Sequence, residues 1–113
     1  DGSPIRDFVH AKDVARGMIF AVENKITEPL NMGSGEGITI KELAEIVANR
    51  FNKPIKWSPE NPSGDAKRIF SMEKAGTYGF YPEVSIKEGV ESTIDWFLAN
   101  PDKVDKKFNA LNR

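Results

Sequence analysis

Two short phrases constrain the fold of this chain more than any others: Thr39-Ile40-Lys41-Glu42 and Ser85-Ile86-Lys87-Glu88. Each is a capping box, a hydroxyl at the N-cap with a glutamate three residues later, so that two backbone donors are satisfied reciprocally. Both therefore start helices. From the first, Ile40, Leu43, Ala44, Val47 and Phe51 recur at helical spacing until Asn52 and Pro54 end the pattern. The second opens a helix over residues 85–100, with Ile86, Val90, Ile94 and Phe97 inward and Pro101 just past its end. A further helix is expected over residues 12–24, with Val14, Met18, Ala21 and Val22 on one inner face.

Between the helices only short extended pieces fit. Residues 29–32 and 55–57 read as short strands, and 68–70 as a brief extended stretch before a short helix capped by Ser71 and running through Ala75. Gly33-Ser34-Gly35-Glu36-Gly37 reads as a turn, and residues 60–65, with Pro62 and Gly64, as a loop. The expected class is α/β, three main helices with strands too short for a doubly wound sheet of their own. At 113 residues this is one domain, and one expected to lean on another. Residues 1–101 form the lobe; residues 102–113 are a polar tail, read as a terminal turn or a frayed end.

Composition narrows the function classes. Sixteen basic residues face seventeen acidic ones, so neither nucleic acid nor an anionic membrane is the expected partner. The absence of cysteine removes disulfide scaffolds and thiolate metal sites, and a single histidine gives little basis for zinc. Apolar runs are too short for a membrane span and no signal-like segment opens the chain, so a cytoplasmic location is the default.

Two places can carry chemistry. Arg6 stands alone beside a Gly/Pro turn, where its planar fork can hold a phosphate through two parallel hydrogen bonds. A surface salt bridge to Asp7 or Asp13 is the simpler reading and, on these residues alone, the favoured one. The second place is the loop Asn61-Pro62-Ser63-Gly64-Asp65-Ala66-Lys67-Arg68. Its Lys67-Arg68 pair suits an anion such as a diphosphate, and Ser63 and Asp65 can bond sugar hydroxyls; a solvated, ion-paired loop carries equal weight. His10 suits packing or a local hydrogen bond, and Asp13 capping or buttressing of its helix. The cluster Gly33, Gly35, Gly37 fails the G-x-G-x-x-G template because Ile38 stands at the third glycine position, so its glycines read as those of a mobile turn. Trp57, Phe70, Tyr78, Phe80 and Tyr81 are assigned to packing before base stacking. No nucleophile with its base and no carboxylate pair is visible.

A resemblance changes these weights. Four motifs occur in order: Arg6-Asp7-Phe8-Val9-His10 with Asp13-Val14-Ala15; Asn31-Met32-Gly33-Ser34-Gly35 followed by Thr39-Ile40-Lys41-Glu42-Leu43; Pro62-Ser63-Gly64-Asp65 with Lys67-Arg68; and Val84-Ser85-Ile86-Lys87-Glu88-Gly89 with Thr93-Ile94-Asp95-Trp96-Phe97. As a set they resemble the extended short-chain dehydrogenase/reductases, the NAD-dependent epimerase/dehydratase family. The ending from Glu91 to Asn100 is most similar to the family's GDP-L-fucose synthase branch. The resemblance implies a two-lobed enzyme. An N-terminal Rossmann half binds NAD or NADP and supplies Ser/Thr, Tyr and Lys for proton and hydride transfer. This chain is then the C-terminal substrate lobe, which clamps the nucleotide diphosphate of a nucleotide-diphosphate sugar. Arg6 corresponds to the arginine on the phosphates, and Ser63, Asp65, Lys67 and Arg68 to the stretch that closes over the nucleotide. By the same implication these 113 residues hold no cofactor and have no activity alone, and the parent enzyme is a homodimer. The alternatives are the lobe of a UDP-sugar 4-epimerase or a sugar-nucleotide 4,6-dehydratase and, from another class, a stand-alone nucleotide-binding or interaction module.

Overall fold

In a computed structural model, which describes residues 1–58, 60 and 64–104, the described residues form five helices and a small three-stranded sheet. The strands are β1 (Ile5–Arg6), β2 (Ile38–Thr39) and β3 (Lys67–Arg68); the helices are α1 (Ala11–Glu23), α2 (Ile40–Phe51), α3 (Glu73–Thr77), α4 (Ile86–Ala99) and α5 (Pro101–Val104). β1 lies in the middle, antiparallel to β2 and parallel to β3.

Both capping boxes form as expected. Thr39 and Ser85 each accept the N–H of the glutamate three residues on, and each glutamate accepts the cap residue's own N–H. α2 ends at Asn52, in a left-handed conformation (φ 49°) that asparagine adopts more readily than most residues. α2 and α4 pack together, and Arg50 Nη2 reaches Asp95 Oδ1 at 2.9 Å across the pair. Replacing Ser85 with alanine removes one half of its box and should cost about 1 kcal/mol, read as a lower urea midpoint at unchanged slope.

Three expectations are corrected. First, residues 29–32 and 55–57 are not strands. The 29–32 segment is held by side chains instead, through Lys74 Nζ on the Pro29 carbonyl (3.1 Å) and Asn31 Nδ2 on the Ser71 carbonyl (3.3 Å). Trp57 anchors its segment by packing on Gly2, where an added Cβ would stand 2.5 Å from the ring. Second, Ser71 does not cap α3; Met72 is the N-cap, with no side-chain bond.

Third, the inner face of α1 is not the one the periodicity suggests. Gly17 packs on Met32 and Phe80, and Phe20 meets the Phe80 ring at 5.4 Å. The face that buries Asp13 and Gly17 is the packed one. Met18 and Val22 are 64% and 79% exposed. α1 is therefore apolar on two sides, and only one of them is covered by the described residues. Likewise Ile94 of α4 is buried but Phe97 is half-exposed. Pro101, expected as a stop, occupies the first position of α5, where a missing N–H costs nothing. No described helix is long and apolar enough to cross a membrane.

Candidate functional site

The site is built outward from β1. Its parallel pairing with β3 sets Arg6 beside Arg68 and Ile5 beside Lys67. Because side chains alternate along a strand, Arg6 and Arg68 share one face and Lys67 takes the other. Residue 65 links the two arginines. Arg6 Nη1 donates to the Asp65 carbonyl (2.8 Å) and to the Ile5 carbonyl (2.8 Å), while Arg68 Nη2 bonds Asp65 Oδ2 at 2.5 Å. Gly64 lies against the same guanidinium, where an added Cβ would make only ordinary contact, 3.4 Å from Arg6 Nη2. Arg6, Asp65 and Arg68 thus come together although Arg6 and Asp65 are 59 positions apart in the sequence; Lys67 does not join them, and Ser63 lies outside the described residues.

The simpler reading of Arg6, an ion pair with Asp7 or Asp13, is replaced by this arrangement, because both carboxylates are engaged elsewhere. Asp7 Oδ1 accepts the Ser34 N–H (2.7 Å) and the Ser34 hydroxyl (2.7 Å); Oδ2 accepts the N–H groups of Gly35 (3.0 Å) and Phe70 (3.2 Å). Partial burial pushes this carboxyl's pKa up, but the Ser34, Gly35 and Phe70 bonds outweigh it and hold it below the usual aspartate value. The glycine cluster is therefore not a mobile turn. It is wrapped on Asp7, with Gly33 buried and Gly35 at φ 74°. The sequence reading missed this role. The signal was present as an aspartate one residue past a strand together with a Gly-Ser-Gly turn, whose clustered N–H donors need an acceptor.

Asp13 does buttress, though not only its own helix. Only 1% exposed, it accepts the Glu83 and Val84 N–H groups at 3.0 and 2.9 Å, and Arg16 at 2.7 Å. Arg16 continues to Glu83 at 2.7 Å and lies over the Phe80 ring. Burial raises the Asp13 pKa, and the bonds from Val84, Glu83 and Arg16 more than reverse it. His10 is the N-cap of α1, its Nδ1 accepting the Lys12 N–H at 3.2 Å while Nε2 faces Ser92 Oγ at 3.2 Å. The expected local hydrogen bond is found at Nδ1, and the Nε2 contact with Ser92 ties the start of α1 to α4. A 360 Å³ apolar cavity lies elsewhere, between α2 and α4, bordered by Phe8, Val9, Leu43, Val90 and Ile94; neither Arg6 nor Arg68 lines it.

The turn donors that might cradle a dinucleotide's phosphates already serve Asp7, and the sheet is only two residues deep. What the arrangement brings together is two guanidinium groups on one face, both bonded to Asp65.

Comparison with known proteins agrees with this fold. The pattern of the NAD dependent epimerase/dehydratase family matches residues 1–33. GDP-L-fucose synthase 1 of Arabidopsis thaliana is 35% identical over 102 residues, covering 88% of this chain and 32% of the relative. Among solved structures, the epimerase Mth375 of Methanothermobacter thermautotrophicus superposes with a TM-score of 0.83 at 29% identity, over 95% of this chain and 34% of that one. The Bordetella bronchiseptica enzyme WbmF, solved with NAD+ and UDP, gives a TM-score of 0.73 at 28% identity over 93% and 32%. The fold is thus that of a part of an extended short-chain dehydrogenase/reductase. The chain is similar to members of the NAD-dependent epimerase/dehydratase family, and it spans about a third of the length of the curated relatives it matches.

Proposed function

We propose that these residues are the C-terminal, nucleotide-diphosphate-binding lobe of an NAD(P)-dependent nucleotide-sugar epimerase/reductase resembling GDP-L-fucose synthase. The observation that carries it is the parallel register that sets Arg6 and Arg68 side by side, both bonded to residue 65. Two guanidinium groups on one face suit the oxygens of a diphosphate, and holding it fixes which sugar carbon meets the redox centre. Ser63 and Asp65 complete the loop that closes over the nucleotide. Lys67 takes the opposite face of β3 from the pair. Cofactor binding and proton transfer belong to an N-terminal Rossmann half, so the 113 residues alone are inactive. The parent enzyme works in the cytoplasm as a homodimer.

The uncovered apolar side of α1, with Met18, Ile19 and Val22 exposed, favours a lobe seated on another domain over a stand-alone module. A UDP-sugar epimerase lobe is the second reading, favoured by the epimerase and UDP-bound neighbours. Titrating the full-length protein with GDP, UDP and dTDP separates the two. Arg6→Ala should weaken whichever nucleotide binds by about 10- to 100-fold, the worth of charge-assisted hydrogen bonds; unchanged affinity would remove Arg6 from the site.

A further inference from the structure

The glycine turn, the end of β1 and the residues just past β3 meet at one side chain, that of Asp7. We infer that Asp7 is a positioning residue for the anion site, holding Arg68 at its working distance from Arg6; this rests on the proposed diphosphate site. β1 and β3 are each two residues long, and their pairing relies on few main-chain bonds, among them Ile5 N–H to the Ala66 carbonyl (2.9 Å) and Asp7 N–H to the Arg68 carbonyl (3.2 Å). A ladder this short is weak in water. The Asp7 carboxylate adds a charge-assisted bond to Phe70 N–H, two residues beyond Arg68, and through its other bonds clasps Ser34 and Gly35. Main chain and side chain of one residue thus grip β3 on either side of Ile69. Arg6 precedes Asp7 directly, so any slip of β3 against Asp7 is a slip of Arg68 against Arg6.

Asparagine cannot replace this carboxylate. Each oxygen accepts two donors, so an amide nitrogen at either position would face N–H groups. The test is a double-mutant cycle on the full-length protein, with GDP as ligand and calorimetry as readout. Asp7→Asn should weaken GDP about tenfold, and the same substitution made on Arg6→Ala should add less than twofold, because the geometry it sustains is then already lost. A purely structural role would lower affinity by the same factor in both backgrounds, which would overturn the inference. So would Asp7→Asn binding GDP like the unmodified protein while Arg6→Ala does not. Normal GDP binding by Arg6→Ala defeats the diphosphate reading itself, and this inference with it. Should Asp7→Asn fail to fold, Ser34→Ala removes a single donor to Asp7; it should weaken GDP two- to threefold, again only when Arg6 is present, and equal losses in both backgrounds would refute the inference.

Discussion

Asp13→Ala should lower the stability of the full-length protein by about 3 kcal/mol, seen as a shift of the urea midpoint at unchanged slope. Asp13 is the one charged side chain among the described residues classed as buried, and its partners come from two parts of the chain. Alanine leaves the Glu83 and Val84 N–H groups, which orient the entry to α4, without their acceptor. An orphaned buried donor costs about 1–3 kcal/mol, and two are orphaned here. Arg16 limits the damage, since it is partly exposed and keeps Glu83 as a partner. Against a typical stability of about 5–15 kcal/mol this is a large share.

The same side chain sets an acid limit. Its folded pKa lies below the unfolded value, so the stabilisation is complete above about pH 4, the ordinary aspartate range, and declines as pH falls through the folded pKa. Asp7 shifts in the same direction and adds to the effect. Asp13→Asn should therefore be less stable at neutral pH and flatter below pH 4. An acid limb as steep as that of the unmodified protein would remove Asp13 from this role.

Gly33→Ala is the second substitution with a large expected effect, about 2–3 kcal/mol. Its backbone is not left-handed, unlike that of Gly35, so the cost is purely steric. A Cβ there would stand 2.7 Å from Asp7 Oδ2 and 2.8 Å from Phe70 Cβ. Neither is a free end: Phe70 Cβ is fixed to the main chain, and Asp7 is held by the hydrogen bonds of the turn and of Phe70. Something must move, and what moves is the junction of β1 with β3. Gly33→Ala should accordingly weaken GDP binding as well as stability. A stable variant with unchanged GDP affinity would show that this junction tolerates displacement.

What could be read from the residues was local. The capping boxes at Thr39 and Ser85 placed α2 and α4, because a cap uses donors and acceptors within four residues of one another. The α/β class followed from the same short-range patterns, and the ordered motifs carried the resemblance to known enzymes. The strands did not follow. Residues 29–32 and 55–57 have strand-like sequence but find no ladder partner among the described residues, while Ile5–Arg6, Ile38–Thr39 and Lys67–Arg68 pair across tens of residues. Which face of α1 is inside was equally illegible, since both faces are apolar and Met18 and Val22 lose the competition to Gly17 and Phe20.

The candidate site divides along the same line. Sequence alone determined its chemistry: Arg6 and the Lys67-Arg68 pair were recognisable as cations beside turns, whatever they touch. Tertiary structure decided which cations lie side by side. Alternation along β3 turns Lys67 to the far face, the parallel register brings Arg68 to Arg6, and Asp7 gathers the glycine turn onto itself. The physical reason is range: propensity and capping act over a turn of chain, whereas register and burial depend on which distant segments exclude water together.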